Sequence, residues 1–281
     1  MVWRIATQAD LPPIEALLRR HVQSSMFLLG NLRDHGLGSD APHGMTLWVQ
    51  KDLSGVLGVS NTGMVLFQAQ QATAKDWRAA FELLAGRELT GCVGDTEQLR
   101  AFLSASGLSA RPTRLDEDEP GFALDLVDLA ISEVPQARLI PLADAPRDLV
   151  LDWRAAYHAE ILGTAPENCA TEARRDVDGY IERASHRVLT IAGQAVAMCG
   201  FNAQMPDVVQ VGGVYTPPDL RGRGYARLAV ALHLEEARQE GADLAVLFAA
   251  SPAAARAYQA IGFKPAGSFS LVLFAPEVEA T

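Results

Sequence analysis

The chain is poor in cysteine, with three in 281 residues. Cys92, Cys169 and Cys199 are scattered and form no Cys-x-x-Cys, which excludes a disulfide frame and a structural zinc site and reads as reduced thiols in a reducing compartment. No run of about 20 apolar residues occurs anywhere, and the opening Met-Val-Trp-Arg-Ile-Ala-Thr has no long apolar core. The expectation is a cytoplasmic protein without a membrane segment. Basic residues are also scarce: 24 Lys and Arg stand against 34 Asp and Glu, a formal net charge of −10. That balance argues against non-specific nucleic-acid or anionic-membrane binding, which needs a broad basic surface. No cluster of His, Cys or acid has metal-ligand spacing, so no metal is expected. Gly-x-Ser-x-Gly is absent, which disfavours a serine hydrolase. What remains is 49% hydrophobic and 21% charged, the balance of a globular chain long enough for one large or two medium domains.

One stretch organises the rest. Val208–Tyr215 is a β-rich run that meets Pro217-Pro218, and the basic turn Arg221-Gly222-Arg223-Gly224 follows. An apolar-periodic helix then opens, with Leu228, Ala231, Leu232 and Leu234 spaced for one buried face. A strand, a turn of bare backbone N–H groups and a helix N-terminus make an anion site: the first helical N–H groups lack partners and the macrodipole adds partial positive charge. Glycine at 222 and 224 lets backbone approach a phosphate, while Arg221, Arg223 and Arg227 add charge. A P-loop would need Lys-Ser/Thr after the last glycine, and Tyr225-Ala226 stand there instead. A dinucleotide fingerprint would need a small residue at 227, which is Arg.

A third pattern, Arg/Gln-x-x-Gly-x-Gly/Ala, is met by Arg221, Gly224 and Ala226. With Val-Tyr-Thr-Pro-Pro before it and Ala257-Tyr258-Gln259-Ala260-Ile261-Gly262-Phe263 after it, the region about 138–275 resembles a GCN5-related N-acetyltransferase (GNAT) domain. The resemblance implies a mixed, largely antiparallel α/β sheet flanked by helices, with acetyl-CoA as cosubstrate and no metal. Residues 1–132 read as a second α/β domain whose order, helices first and then strands with two later helices, echoes the C-terminal half. They carry no such motif, so a degenerate, non-catalytic GNAT-like domain is expected there, an unrelated α/β domain being the other reading. The join is placed near Ser132–Gln136, with Pro135 as breaker, and the catalytic domain at 137–281. The run Asp116–Glu119 is expected to be a solvated loop.

Acyl transfer from a thioester to an amine needs the thioester held, its carbonyl polarised, the amine neutral at attack and the thiolate protonated. The resemblance gives holding to the turn Arg221, Gly222, Arg223, Gly224, Tyr225 and Ala226. It gives pantetheine pairing and polarisation to backbone at Val214, Tyr215 and Thr216, and protonation to Tyr258, a phenol able to supply a departing thiolate. Ser251 stands where the family often has an Asn that contacts pantetheine. The position that carries a catalytic Glu in some members is Gln210, whose amide cannot accept a proton; Asp207 acting through water, His158 and Glu160 are the substitutes. Trp153, Tyr157 and His158 would line the acceptor pocket or simply pack, and His233 reads as packing or surface. The acceptor expected is a small-molecule primary amine. A non-catalytic acyl-CoA-binding regulator and a protein N-acetyltransferase are the alternatives.

Overall fold

The structure is a computed structural model that describes residues 3–276; Met1, Val2 and 277–281, the outer ends of the two expected domains, lie outside the described residues. The chain runs β1 (Trp3–Ile5), α1 (Leu11–Arg20), α2 (Val22–His35), β2 (Met45–Gln50), β3 (Val56–Ser60), β4 (Met64–Gln68), α3 (Ala74–Glu82), β5 (Gly91–Asp95), α4 (Thr96–Ser106) and β6 (Thr113–Asp125). The same order then repeats as β7 (Ala137–Pro141), α5 (Arg147–Glu160), α6 (Pro166–Glu182), β8 (His186–Ile191), β9 (Gln194–Gln204), β10 (Val208–Tyr215), α7 (Tyr225–Gln239), β11 (Leu244–Phe248), α8 (Pro252–Gln259) and β12 (Lys264–Phe274).

The molecule divides into two compact units, one up to Glu119 together with the residues from Gly267 on, the other Pro120–Ala266. This differs from a join near 132–137, and strand pairing is the reason. Gly121–Asp125 of β6 pairs antiparallel with β11 in the second unit, while Phe269–Leu273 of β12 pairs antiparallel with β5 in the first. The first unit orders its strands β1-β2-β3-β4-β5-β12, and the second β7-β8-β9-β10-β11-β6. In each, one parallel pair, β4·β5 or β10·β11, interrupts an otherwise antiparallel arrangement.

The acidic run 116–119 lies within β6 rather than in a loop. Asp118 takes a two-nitrogen contact from Arg100 on α4 and a hydrogen bond from the Ser270 hydroxyl, so a tertiary ion pair overrides the local composition.

In the second unit the sheet is covered on both faces. Leu228, Leu234 and Tyr258 from α7 and α8 close over Leu189, Phe201, Val211 and Leu247. Trp153, Val177 and Tyr180 from α5 and α6 close over Val188, Met198 and Tyr215. Each large apolar side chain buried there contributes about 1.5–3 kcal/mol. Val211 and Tyr215 stand an even number of residues apart, so a regular strand would put both on one face. They face opposite sides because β10 is bulged: Gly212 faces Gly200 and Tyr215 faces Met198, three residues against two. The extra residue reverses the alternation.

Candidate active site

The bulge marks a place where two strands separate. β10 and β11 pair in parallel only at Val208↔Leu244, Val209↔Ala245 and Gln210↔Val246. Beyond Gln210 the rest of β10, through Tyr215, has no partner on the β11 side, although β11 itself continues to Phe248. The backbone of Val211–Tyr215 therefore presents hydrogen-bonding groups to an opening instead of to a ladder. Gly213 sits in the bulge at φ 61°, and a Cβ there would lie 2.5 Å from Nε2 of His186. Glycine is required at that position on both counts.

The turn predicted to bind an anion follows at the end of the same strand. Pro217-Pro218 stops β10 and leads into a single 3-10 turn, Pro218–Leu220. Gly224 is the N-cap of α7 at φ 81°, and no side chain caps the helix. The first helical bond is Leu228 N–H to Gly224 O at 3.0 Å, so the amides of Tyr225, Ala226 and Arg227 precede the helical ladder. A small cavity of about 90 Å³ opens here, lined in part by Arg223, Gly224, Tyr225 and Arg227. The arrangement sets Arg223, Gly224, Tyr225 and Arg227 around one cavity, in the turn that follows the open end of β10.

Arg221 does not project freely from the turn. Its Nε donates to Thr216 O at 2.9 Å and its terminal nitrogen donates to Glu160 Oε2 at 2.5 Å. The guanidinium lies 5.6 Å from the Tyr215 ring centre, and the Tyr215 hydroxyl donates to the other Glu160 oxygen at 3.1 Å. Burial and the Glu160 carboxylate both push the Tyr215 hydroxyl above its ordinary range. Arg223 is more open, with one donation to Asp219 O at 3.2 Å.

Tyr258 lies on α8, buried among the apolar residues that also contact Val214, with its ring edge-on to Phe263. The structure thus puts Tyr258 and Val214 in one cluster on the α7 side of the sheet. Ser251 is the N-cap of α8, and its hydroxyl oxygen accepts the Ala254 N–H at 3.1 Å; its oxygen serves the helix.

Asp207 is not brought to this place. It stands just before the closed end of the β10·β11 pair, where its carbonyl accepts from Asp243 and Leu244 N–H. Seven residues of strand separate it from Val214, on the order of 20 Å at about 3.3 Å per residue. Glu160 is engaged with Tyr215 and Arg221 as described. His158 is buried with both ring nitrogens occupied: Nε2 meets Asp176 at 2.9 Å and Nδ1 meets the Thr164 hydroxyl at 3.0 Å. Arg154 donates to the same Asp176 oxygen at 2.8 Å. Burial pushes the Asp176 carboxyl up, but the His158 hydrogen bond and the Arg154 charge outweigh it and hold the group at about 2. Trp153 packs, 6.5 Å from the Tyr215 ring, and Tyr157 lies under the Arg154 guanidinium. His233 packs as well, stacked on Phe201 at 3.9 Å.

Three buried polar atoms of the second unit have no protein partner, and all lie on or against the strand that opens: Gln210 Oε1, Thr216 Oγ1 and His186 Nε2. His186 stacks on Tyr180 at 3.5 Å, with Nδ1 on the Ser185 hydroxyl at 2.9 Å. Burial holds its pKa well below the ordinary value, so the ring is neutral. Sequence reasoning passed over His186, since a histidine opening a strand carries no local signal. Gly200 on the adjacent β9 and Gly213 on β10, one strand further, make room for the ring.

The first unit has the same elements in a closed form. β4 and β5 also pair only at Met64↔Gly91, Val65↔Cys92 and Leu66↔Val93. Just past that point, Gln98 Oε1 accepts the Ala69 N–H at 2.6 Å. The helix that follows, α3, is capped reciprocally: Thr73 Oγ1 accepts Asp76 N–H, and the Asp76 carboxylate accepts from Thr73 N–H at 3.0 Å and from its hydroxyl at 2.6 Å. Protein groups fill the two places that stay open in the second unit. Among the described residues no group of three or more potential metal ligands occurs, and no helix is long and apolar enough to cross a membrane.

Compared with protein families, residues 148–263 match the model of the acetyltransferase (GNAT) family. Among curated proteins nothing matches. Solved structures share the fold over nearly the whole chain. A GCN5-related N-acetyltransferase from Kribbella flavida is 17% identical with a TM-score of 0.59, covering 91% of this chain and 95% of that one. A GCN5-related N-acetyltransferase from Sphaerobacter thermophilus is 15% identical with a TM-score of 0.58, covering 99% and 96%. A tandem GNAT protein from the clavulanic acid biosynthesis pathway is 16% identical with a TM-score of 0.56, covering 98% and 99%.

Proposed function

We propose that the second unit, whose residues 148–263 match the model of the acetyltransferase (GNAT) family, moves an acetyl group from acetyl-CoA directly to the primary amine of a small molecule. The observation that carries this reading is the coincidence, at one strand end, of the parted β10·β11 pair and the uncapped glycine-arginine turn opening α7. A diphosphate bound by the amides of Gly222–Ala226 would lay the pantetheine arm along Val211–Thr216. The thioester carbonyl then meets a backbone N–H near Val214, fixed in place before the reaction begins.

The chemistry is a single displacement. The amine nitrogen attacks the thioester carbon, the carbonyl oxygen carries the developing charge, and the C–S bond breaks. Tyr258 gives its hydroxyl proton to the departing thiolate and recovers one from solvent. The amine sheds its extra proton to water. Gln210 cannot act as base, Asp207 is remote, and His158 and Glu160 are held by other groups, so the amine enters already neutral. An excess of acidic residues, net −10, suits a cationic amine approaching in solution. In the first unit, Gln98 and the Thr73–Asp76 cap occupy the places a donor would need, which supports a non-catalytic half.

A second reading, an acyl-CoA-binding regulator, is favoured by Gln210 and by the use of Ser251 as a helix cap. Thiol release from acetyl-CoA over a panel of primary amines separates the two. Amine-dependent release supports the transferase; tight binding with no release from any amine supports the regulator.

A further inference from the structure

His186 opens β8 with a ring whose Nε2 has no protein partner. The residue is 1% exposed, and an orphaned polar atom at that depth costs about 1–3 kcal/mol. The ring is held on several sides. Tyr180 of α6 stacks on it at 3.5 Å, and Nδ1 meets Ser185 Oγ at 2.9 Å. Gly200 stands directly opposite His186 in the β8·β9 pair, and a Cβ there would come within 2.2 Å of the ring. Gly213, in the β10 bulge, clears the tip in turn, since its Cβ would lie 2.5 Å from Nε2. The ring is thus laid across β9 with Nε2 aimed at the bulge. Residue 214 follows one Cα step beyond, about 3.8 Å. Val214 packs with Tyr258 on the α7 side of the sheet, whereas Tyr180, which carries the His186 ring, belongs to the α5–α6 side. The open strand is flanked by a phenol on one face and an imidazole on the other.

We infer that His186 is the positioning residue for proton removal from the amine: its Nε2 accepts a hydrogen bond from the water that takes that proton. The inference rests on the transferase reading above and gives the water invoked there a place. With Nδ1–H donated to Ser185 Oγ, Nε2 presents a lone pair toward the bulge. Once the amine nitrogen has bonded to the thioester carbon it carries one proton too many, and it is far more acidic than a free alkylammonium. Its N–H bond breaks toward the water oxygen while the water passes one of its own protons to Nε2. The N–H electron pair stays on nitrogen, and no hydronium forms. Burial disfavours the resulting imidazolium, which returns the proton to solvent as product leaves. The C–S pair departs on sulfur, which Tyr258 protonates from the opposite face.

The test is steady-state turnover of the full chain and His186→Gln, with acetyl-CoA and whichever primary amine of the panel the parent turns over fastest. A glutamine side chain can place an amide nitrogen near the position of Nε2, but the amide takes no proton. The expected result is a kcat at least about tenfold lower, with KM for the amine within about threefold and calorimetric acetyl-CoA affinity within about twofold of the parent. His186→Ala separates chemistry from packing. Imidazole added to that variant should raise turnover at least about threefold, and pyrrole, a ring of similar size without a basic nitrogen, should not. Parent-like kcat in His186→Gln would overturn the assignment. So would a parallel loss of acetyl-CoA affinity, or equal recovery with imidazole and pyrrole, none included; either makes the ring a spacer behind the bulge. A parent chain with no amine-dependent thiol release refutes the transferase reading itself, and the role of His186 falls with it.

Discussion

Glu160, at the end of α5, holds Arg221 through one carboxylate oxygen at 2.5 Å and the Tyr215 hydroxyl through the other at 3.1 Å. One side chain thereby ties the last residue of the open strand to the first residue of the phosphate turn. The pair is half-exposed, so its worth to global stability is small, under about 1 kcal/mol. Its consequence is positional. Glu160→Ala should raise the KM for acetyl-CoA about three- to tenfold with kcat nearly unchanged, since a turn that must be ordered on binding loses affinity. Glu160→Gln, which keeps one acceptor oxygen for Arg221 and turns an amide N–H toward the Tyr215 hydroxyl oxygen, should fall between. Steady-state kinetics decide it: an unchanged KM in Glu160→Ala would remove the positioning role.

Tyr258 shares its apolar surroundings with Val214, the position at which the thioester carbonyl is expected. Tyr258→Phe keeps the ring against Phe263 and removes only the hydroxyl. General acid catalysis is worth about 10²–10⁴-fold, so kcat should drop by at least about tenfold while calorimetric acetyl-CoA affinity stays within twofold. Parent-like turnover would take Tyr258 out of the mechanism.

Two buried histidines make stability depend on pH. Burial depresses the pKa of His186 well below the ordinary value and that of His233 to about 3. Below about pH 6.5 the unfolded chain binds protons that the folded chain refuses, so stability falls as pH falls. The slope should approach about 1.4 kcal/mol per pH unit for each histidine between about pH 6 and 4. Asp176, held at about 2, adds a further loss below about pH 4. Urea unfolding at pH 7, 6 and 5 measures this, and His233→Phe should remove roughly half of the dependence. A flat profile between pH 7 and 5 would contradict the buried neutral rings.

Much of the site was legible because its chemistry is local. The strand, the Pro217-Pro218 stop, the glycines and the helix of 208–239 follow one another in sequence, and each has a backbone reason to be where it is. What could not be read depends on distant partners. Glu160 and Arg221 are 61 residues apart, and nothing near either names the other. Asp118 is drawn into a strand by Arg100 and Ser270, whereas four acids before a proline suggest a loop. The exchange of final strands, β6 into the second unit and β12 into the first, escapes periodicity because either sequence alternates well enough to serve either sheet. Asp207 failed for a related reason: sequence places it at the start of the right strand, while the opening lies at that strand's other end.

The most direct measurement is the stoichiometry of acetyl-CoA binding to the full chain, parent and Gly224→Glu side by side, by calorimetry. Gly224 caps α7 at φ 81° with no side chain over the first amides; a glutamate there sets a carboxylate against the diphosphate, and Gly224→Ala controls for backbone strain of about 1–2 kcal/mol. One acetyl-CoA per parent chain, none per Gly224→Glu chain and residual binding in a folded Gly224→Ala are the results predicted. One acetyl-CoA retained by a folded Gly224→Glu chain would place the donor elsewhere and contradict the account.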